Sequence, residues 1–388
     1  MENPTDTGFC CSTFCAIATA VYICTAVWQE RQGYSARCWA IAFGVLGCLL
    51  YFWGSPGSCG VLLMCGSLRL YCVTPRKGRL PVHSRAVLIT GCDTGFGHAL
   101  AKLLSEMGVT VFAGVLDVSG SGAQELRDCE SANLHVLQLD VTDHAQIEQA
   151  YQYIHTQVRE AGLWGLVNNA GILGCVADGE IQPITAFRRC MDVNFLSAVK
   201  MCQVFLPLLR RSKGRIVNIS SMAGEVSMPM FSAYGASKAA LSNFSGVMRM
   251  ELSKWGIKVS TIQPAGFRTN IFKNSEAWCS YKEEILKGLS SDTRRDYGEA
   301  YISSLLGGLS KMANQSSEDL RPVLEDMCHA LMSLDPKPLY TPGQTAWIIP
   351  FLCRLCPTNI FDIMIMQTFK FIDCHPAALS QDCVKKWD

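Results

Sequence analysis

Charge is withheld from the first fifth of this chain, and that asymmetry limits what the chain can fold into. Residues 1–73 carry only Glu2, Asp6, Glu30, Arg31, Arg37 and Arg69, whereas the 388-residue chain holds 34 Lys and Arg and 33 Asp and Glu. Gly8 to Trp28 is uncharged over 21 residues, close to the ~20 that cross a hydrocarbon core as a helix. No charge follows Arg37 until Arg69, and Gly54-Ser55-Pro56-Gly57 divides that stretch with a turn signal. Two further spans over about 38–54 and 58–73 are expected, both short for a full crossing. The start has Glu2 and Asp6 where a cleaved signal peptide has basic residues.

Orientation follows from the Lys and Arg residues. Arg31 and Arg37 lie between the first two spans, and Arg76, Lys77 and Arg79 follow the last. Three spans put both groups in the cytosol; two would strand one of them. Residues 1–80 therefore read as a membrane anchor of about three transmembrane spans, and 81–388 as a separate domain facing the cytosol. The alternative is the buried core of a soluble protein. The C-terminal Lys385-Lys386-Trp387-Asp388 resembles a dilysine retrieval signal, which implies a multi-pass protein of the endoplasmic reticulum membrane. On that side, the Asn-x-Ser triplets at Asn218, Asn243 and Asn314 would not be glycosylated.

A formal charge of +1 gives no electrostatic reason to expect nucleic acid as a partner. The 20 cysteines are scattered, and in the apolar segment they act as small hydrophobes. Cys353 and Cys356 form one Cys-x-x-Cys without a second pair, so no metal site is expected.

From residue 84 the pattern becomes short apolar runs alternating with helical stretches. Ala86–Thr90, Val109–Leu116, Leu134–Leu139, Leu166–Asn169, Arg215–Ser220 and Lys258–Gln263 read as strands. Alternation of this kind specifies a doubly wound parallel sheet, a Rossmann-like α/β sandwich. The first strand runs into Thr90-Gly91-Cys92-Asp93-Thr94-Gly95-Phe96-Gly97 and then a helix. Glycines there allow a tight turn and close approach of a dinucleotide pyrophosphate to the helix N-terminus. Thr90, Gly91, Asp93, Thr94, Gly95, Phe96 and Gly97 are thus candidate cofactor-binding residues. Asp117 ends the second strand, where a carboxylate accepts hydrogen bonds from ribose hydroxyls and repels a 2′-phosphate. With no Lys or Arg between Lys102 and Arg127, NAD is the expected cofactor. A shifted register would instead put Val115 at that position and leave Asp117 as a loop residue.

The order Thr-Gly-x3-Gly-x-Gly, Asn168-Asn169-Ala170-Gly171, Ser221 and Tyr234-x3-Lys238 resembles the short-chain dehydrogenase/reductase family over residues 84 to about 275. The spacing puts Tyr234 and Lys238 on one helix face. A neighbouring ammonium and an oxidised nicotinamide cation both favour phenolate, so Tyr234 can take an alcohol proton while hydride leaves. Ser221 would hold the substrate oxygen. By the resemblance, Asn194 is a fourth catalytic member that holds a water linking Lys238 to solvent. Lys238 also contacts the nicotinamide ribose, Asp140 lies beside the adenine, and Asn168 pins the strand beneath the cofactor. Thr269 meets the carboxamide end, although Ala265 stands where the family has Gly after Pro264.

Residues 270–320 read as a mobile flap over the substrate. Residues 344–372, with Trp347, Phe351, Phe361 and Phe369, read as either a pocket wall or a surface-lying membrane segment. Blocks such as Phe112-Ala113-Gly114-Val115-Leu116, Glu251-Leu252-Ser253-Lys254-Trp255-Gly256 and Tyr340-Thr341-Pro342-Gly343 look like steroid-oxidising members of the family. They imply NAD-dependent oxidation of the 17β-hydroxyl of estradiol and testosterone. Oxidation of 11β-hydroxysteroids or of retinol is the alternative, and a membrane-anchored nucleotide-binding scaffold is the reading without turnover. A homodimer is implied by the resemblance alone.

Overall fold

A computed structural model describes residues 4–31, 37–53, 56–72, 78, 80–272, 275–343, 345–368 and 374–379. Gly54 and Ser55, Arg76, Lys77 and Arg79, Phe369, and the Lys385-Lys386 pair lie outside those residues. The chain divides into two compact units, Met1–Arg79 with Lys337–Tyr340, and Leu80–Pro336 with Thr341–Asp388.

The first unit is helical: α1 Pro4–Arg31, α2 Arg37–Trp53 and α3 Pro56–Cys72. The breaks fall where the charged linker and the Gly-Ser-Pro turn signal placed them. α1 has 28 residues, and α2 and α3 have 17 each. At ~1.5 Å per residue the two shorter helices reach about 25 Å, less than a ~30 Å hydrocarbon core. Cys15, Ala18, Tyr22, Cys59 and Leu63 are packed together. A Cβ on Gly60 would come within 2.6 Å of the Phe14 ring, so the absence of a side chain there lets α1 and α3 approach closely. Ile17, Ile23, Val45, Val61 and Leu68 are nevertheless exposed. These helices are apolar on their outer as well as their inner faces, a pattern that water does not favour.

The second unit is built on parallel strands β1 Ala86–Thr90, β2 Thr110–Val115, β3 Leu134–Gln138, β4 Gly165–Asn168, β5 Arg215–Ile219 and β6 Lys258–Ile262. The sheet order is β3-β2-β1-β4-β5-β6, with the two-residue strand β7 (Leu339–Tyr340) at its edge. β1, β4 and β5 are buried along their whole length. That is why β1 reads as a near-continuous apolar run and not as an alternating one, whereas β4 and β5 also bury Asn168, Arg215 and Asn218. Between the strands run α4 Gly95–Glu106, α5 Ser121–Arg127, α6 His144–Val158, α7 Ile184–Met191, α8 Ser197–Ser212 and α9 Ser232–Leu252.

Leu88, Phe112, Leu166 and Ile216 on one sheet face pack with Ile147 and Ile154 of α6, Phe205 and Leu208 of α8 and Leu252 of α9. The side-chain period of two turns Val87 and Gly165 to the other face. There a Cβ on Gly165 would meet Leu331 at 2.8 Å. Leu331 belongs to a helix over Arg321–Met332, numbered α13 below, so helices cover both faces. The continuous run Ile184–Ser212 has the length and hydropathy of a membrane span. Its Met201, Cys202, Phe205, Leu208 and Leu209 are buried against the sheet, so it is a core helix of the domain.

Residues 270–320, expected as a flap, are largely helical. They form α10 Ser275–Gly288, α11 Ser291–Tyr297 and α12 Glu299–Gln315, and are followed by α13. Ile285, Ile302 and Leu305 bury a small core of their own with Cys175, Ala177 and Ile181. The Tyr297 hydroxyl donates to Glu180 Oε2 at 3.0 Å and that of Tyr301 to Asp178 Oδ2 at 2.5 Å. The chain then enters α14 Ile348–Leu355 and α15 Thr358–Thr368. Cys353 and Cys356 pack there against Phe361 and Ile365 as apolar fillers. Asn218 is fully buried in β5, which excludes its glycosylation whatever the topology.

Candidate active site

Strand order reverses between β1 and β4, and in an open α/β sheet the crevice beyond the strand ends at such a point is where ligands bind. A cavity of about 970 Å³ opens there. Gly91, Asp93, Thr94, Gly95, Phe96 and Thr269 line one part of it, and Ser221, Tyr234 and Lys238 line another.

The glycine loop fits a dinucleotide. Gly91 has φ +70°, and a Cβ on it would sit 2.8 Å from Ala170 Cα. Thr94 precedes α4 in extended conformation and makes no side-chain cap. The first N–H groups of that helix are thereby left to an anion. Thr269 faces Gly95 across the crevice, its Cβ 3.4 Å from where a Gly95 Cβ would be. Phe96 meets the buried Phe267 edge-on at 5.7 Å.

Thr90, Gly97 and Asn168 brace the frame of the crevice, and Asp93 both lines it and anchors the loop. The Thr90 hydroxyl accepts from the Asn169 and Ala170 N–H groups, each at 3.0 Å, and donates to the Val167 carbonyl. It ties the end of β1 to the end of β4, away from the cavity wall. Gly97 does not line the wall either: a Cβ on it would strike the Gly91 carbonyl at 2.4 Å. The Asp93 carboxylate accepts from the Leu116 and Asp117 N–H groups, anchoring the loop to the end of β2. Asn168 donates to Asn218 Oδ1 at 2.8 Å, from β4 to β5 below the crevice.

Asp117 and Asp140 are not among the cavity-lining residues. Asp117 accepts from the Ser119 N–H, and Asp140 Oδ1 accepts from the Thr142 N–H and hydroxyl. The inference that no cation stands near Asp117 needs correction. Arg127 reaches back along α5 to donate to the Val118 carbonyl at 2.7 Å, because a sequence interval is not a distance.

The reacting groups come from β5, α9 and a π-helical turn over Asp192–Leu196. Ser221 follows β5, and its hydroxyl accepts from the Ala223 N–H at 3.2 Å. The Tyr234 hydroxyl is hydrogen-bonded to Ser221. Lys238, one turn on, is buried and donates from Nζ to the Ile219 carbonyl at 2.8 Å. Asn194 accepts from the Ile172 N–H at 2.8 Å and donates to the Ile172 carbonyl and the Ser237 hydroxyl. Its Oδ1 and Lys238 Nζ converge beside Gly171, at 3.1 and 3.3 Å from the position of an added Cβ. π-Turns concentrate at functional sites, and this one brings Asn194 to Lys238.

Burial opposes the shift that a neighbouring ammonium would give. Burial pushes the Tyr234 phenol up to about 12, and the Ser221 hydrogen bond only partly opposes it. Burial also brings Lys238 down to about 8. The lysine therefore does not generate phenolate by itself; a further positive charge is needed. Between pH 8 and about 10.5 the unfolded chain holds a proton on Lys238 that the folded chain has released, so this group makes stability rise with pH. The contribution is about 1.4 kcal/mol per pH unit. Denaturant titrations of Lys238→Met should show a shallower pH slope in that window, and an unchanged slope would contradict the burial argument.

Asn169 was the residue missed. Its side chain donates to the Thr90 and Gly91 carbonyls at 2.9 and 3.0 Å, bracing the glycine loop. The Asn-Asn pair was visible in the sequence, but only the backbone direction shows which member faces the loop.

The short chain dehydrogenase family profile matches residues 85–280. The chain belongs to the short-chain dehydrogenase family. This short-chain dehydrogenase is an oxidoreductase of a family whose fold binds a nicotinamide cofactor. It is 41% identical to human 17-beta-hydroxysteroid dehydrogenase type 2 over 388 residues, 98% of each chain. With bovine 11-beta-hydroxysteroid dehydrogenase type 2 it shares 44% identity over 304 residues, covering 78% of this chain and 75% of the relative. A crystal structure of a short-chain dehydrogenase from Streptomyces avermitilis superimposes with a TM-score of 0.57 at 24% identity. It covers 73% of this chain and 97% of that one, a likeness of fold.

Proposed function

We propose that this short-chain dehydrogenase oxidises the 17β-hydroxyl of apolar steroids, such as estradiol and testosterone, to the ketone with NAD. The observation that carries the reading is the setting of the Ser221–Tyr234 hydroxyl pair. Leu173, Phe231, Met228, Ile271 and Met312 form an apolar cluster with Tyr234, so a rigid hydrocarbon alcohol can be desolvated with its one hydroxyl at the polar end. Likeness to a 17β-hydroxysteroid dehydrogenase along 98% of the chain supports this over the 11β relative, whose likeness covers 78%.

Ser221 holds the substrate oxygen, and Tyr234 takes its proton. When bound, the oxidised nicotinamide supplies the hydride acceptor and the positive charge that the phenol lacks. Lys238 and Asn194 set the position of Tyr234 and pass its proton outward. The glycine loop and the N-terminus of α4 hold the pyrophosphate, and Thr269 meets the carboxamide end. Asp117 supports NAD over NADP by its charge beside the loop that Asp93 anchors, with Arg127 in opposition. Asp117→Ala should narrow the NAD preference by about tenfold or more, equivalent to about 1.4 kcal/mol, and an unchanged ratio of kcat/KM values would assign the selection elsewhere.

The apolar outer faces of α1, α2 and α3 support attachment to a membrane; the endoplasmic reticulum, with residues 81–388 on the cytosolic side, is supported by the basic residues flanking these helices and by Lys385-Lys386. A panel of C17 and C11 steroid alcohols and retinol, each with NAD and NADP, tests the assignment. Preference for C11 alcohols would favour the 11β reading, and cofactor binding without ketone formation would favour a scaffold.

A further inference from the structure

We infer that α15, together with the outer side of α14, rests on the lipid surface and forms the membrane-facing rim of the substrate cavity. The inference takes the proposed membrane attachment as given and adds a second contact, on the catalytic unit itself.

α15 turns Phe361 and Ile365 inward, where they pack with Met222 and Val226. Its outer side shows Ile360 49%, Ile363 58% and Met366 64% exposed, with Met364 at 39% on the flank and Leu355 at 65% at the end of α14. A helix of a water-exposed domain is polar on its outer side. Among the exposed residues of this helix Ile360, Ile363, Met364 and Met366 are apolar and Thr358, Asn359, Asp362, Gln367 and Thr368 are polar, so the apolar side chains form a stripe along its outer surface. The polar groups beside it are already satisfied: Arg354 of α14 is ion-paired with Glu225, and the Thr368 hydroxyl donates to the Met364 carbonyl at 2.8 Å.

Three observations select lipid as the occupant. The exposed large apolar side chains are Ile, Leu and Met, without the Tyr or Trp that, with Arg, dominate the energetics of protein-binding patches. Only residues 73–85 separate α3 from β1 in the chain, so a membrane that holds the N-terminal helices tethers the catalytic unit to it. Finally, Thr345, Ile349 and Thr368 of this same region line the cavity, so an apolar alcohol dissolved in lipid meets the cavity where the surface is apolar.

The full chain reconstituted in phosphatidylcholine vesicles, carrying p-benzoylphenylalanine at one position, tests this. Irradiation of the Ile363→p-benzoylphenylalanine chain should give lipid adducts at least about tenfold above the same substitution at Gln149, on exposed α6. Adducts at Val21 of α1 but not at 363 would overturn the rim while sparing the anchor; no adducts at Val21 would overturn the anchor. Cross-linking of position 363 to a second copy would replace lipid with a dimer and also overturn the inference. Ile360→Asp with Ile363→Asp should raise KM at least threefold for a steroid delivered from vesicles and leave kcat and dinucleotide affinity unchanged. The same steroid delivered from cyclodextrin should show no rise in KM; equal rises by both routes would overturn the proposal, and Ile363→Leu should behave as the parent.

Discussion

Tyr234→Phe is expected to lower alcohol oxidation by about 10²–10⁴-fold, the usual worth of one positioned acid–base group, while dinucleotide affinity changes by less than about threefold. The separation follows from how the site is held. Lys238 hangs from the Ile219 carbonyl and Asn194 from Ile172 and Ser237, so neither depends on the phenol oxygen. Its loss removes one hydrogen bond, with Ser221, at a cost of about 1 kcal/mol, and leaves the glycine loop untouched. Single-turnover oxidation at saturating cofactor, beside a direct binding titration, separates the two effects. Turnover within tenfold of the parent would remove Tyr234 from the chemistry. The parent's oxidation rate should rise with pH across the neutral range, because burial raises the phenol and the phenolate fraction grows as pH rises towards its titration.

Much of this was legible in the sequence, for identifiable reasons. Strands buried on both faces are rich in apolar residues, so β1 and β2 stand out as runs bounded by turn residues, while β4, β5 and β6 remain recognisable although they bury Asn168, Asn218, Ser260 and Thr261. Tyr234 and Lys238 lie at a helical interval, and the glycines precede a helix. What stayed hidden depends on direction or on three-dimensional proximity. Nothing in Met-Asp-Val-Asn-Phe-Leu announces the π-turn that aims Asn194 at Lys238. The Tyr234–Lys238 spacing is silent about burial, which moves both groups opposite to the shift that their charges alone would give. Arg127 was dismissed as ten residues beyond Asp117, yet α5 folds it back to Val118. Asn168 and Asn169 are equivalent as letters, and the strand end sends the first into the sheet and the second to the glycine loop.

Gly122 is the other residue whose importance only the packing reveals, and Gly122→Ala should weaken dinucleotide binding by at least about thirtyfold. No motif includes it; it sits in the first turn of α5, outside the glycine loop. A Cβ there would lie 1.9 Å from the Asp93 carbonyl oxygen and 2.8 Å from its carbon. The obstacle is backbone and cannot rotate away. Asp93 cannot retreat easily, since its carboxylate is fixed to the Leu116 and Asp117 N–H groups and Asn169 braces the preceding Gly91. Either α5 tilts or the loop shifts by an ångström or more, and a shifted loop no longer presents the N-terminus of α4 to a pyrophosphate. Thirtyfold corresponds to about 2 kcal/mol, within the range for overpacking a tight contact. Gly246, on α9, has nothing within 4 Å of an added Cβ, so Gly246→Ala supplies the comparison: it should bind dinucleotide as the parent does. If both alanine variants bind with parental affinity, α5 has freedom to move, and the close packing at Asp93 does not set the shape of the cofactor loop.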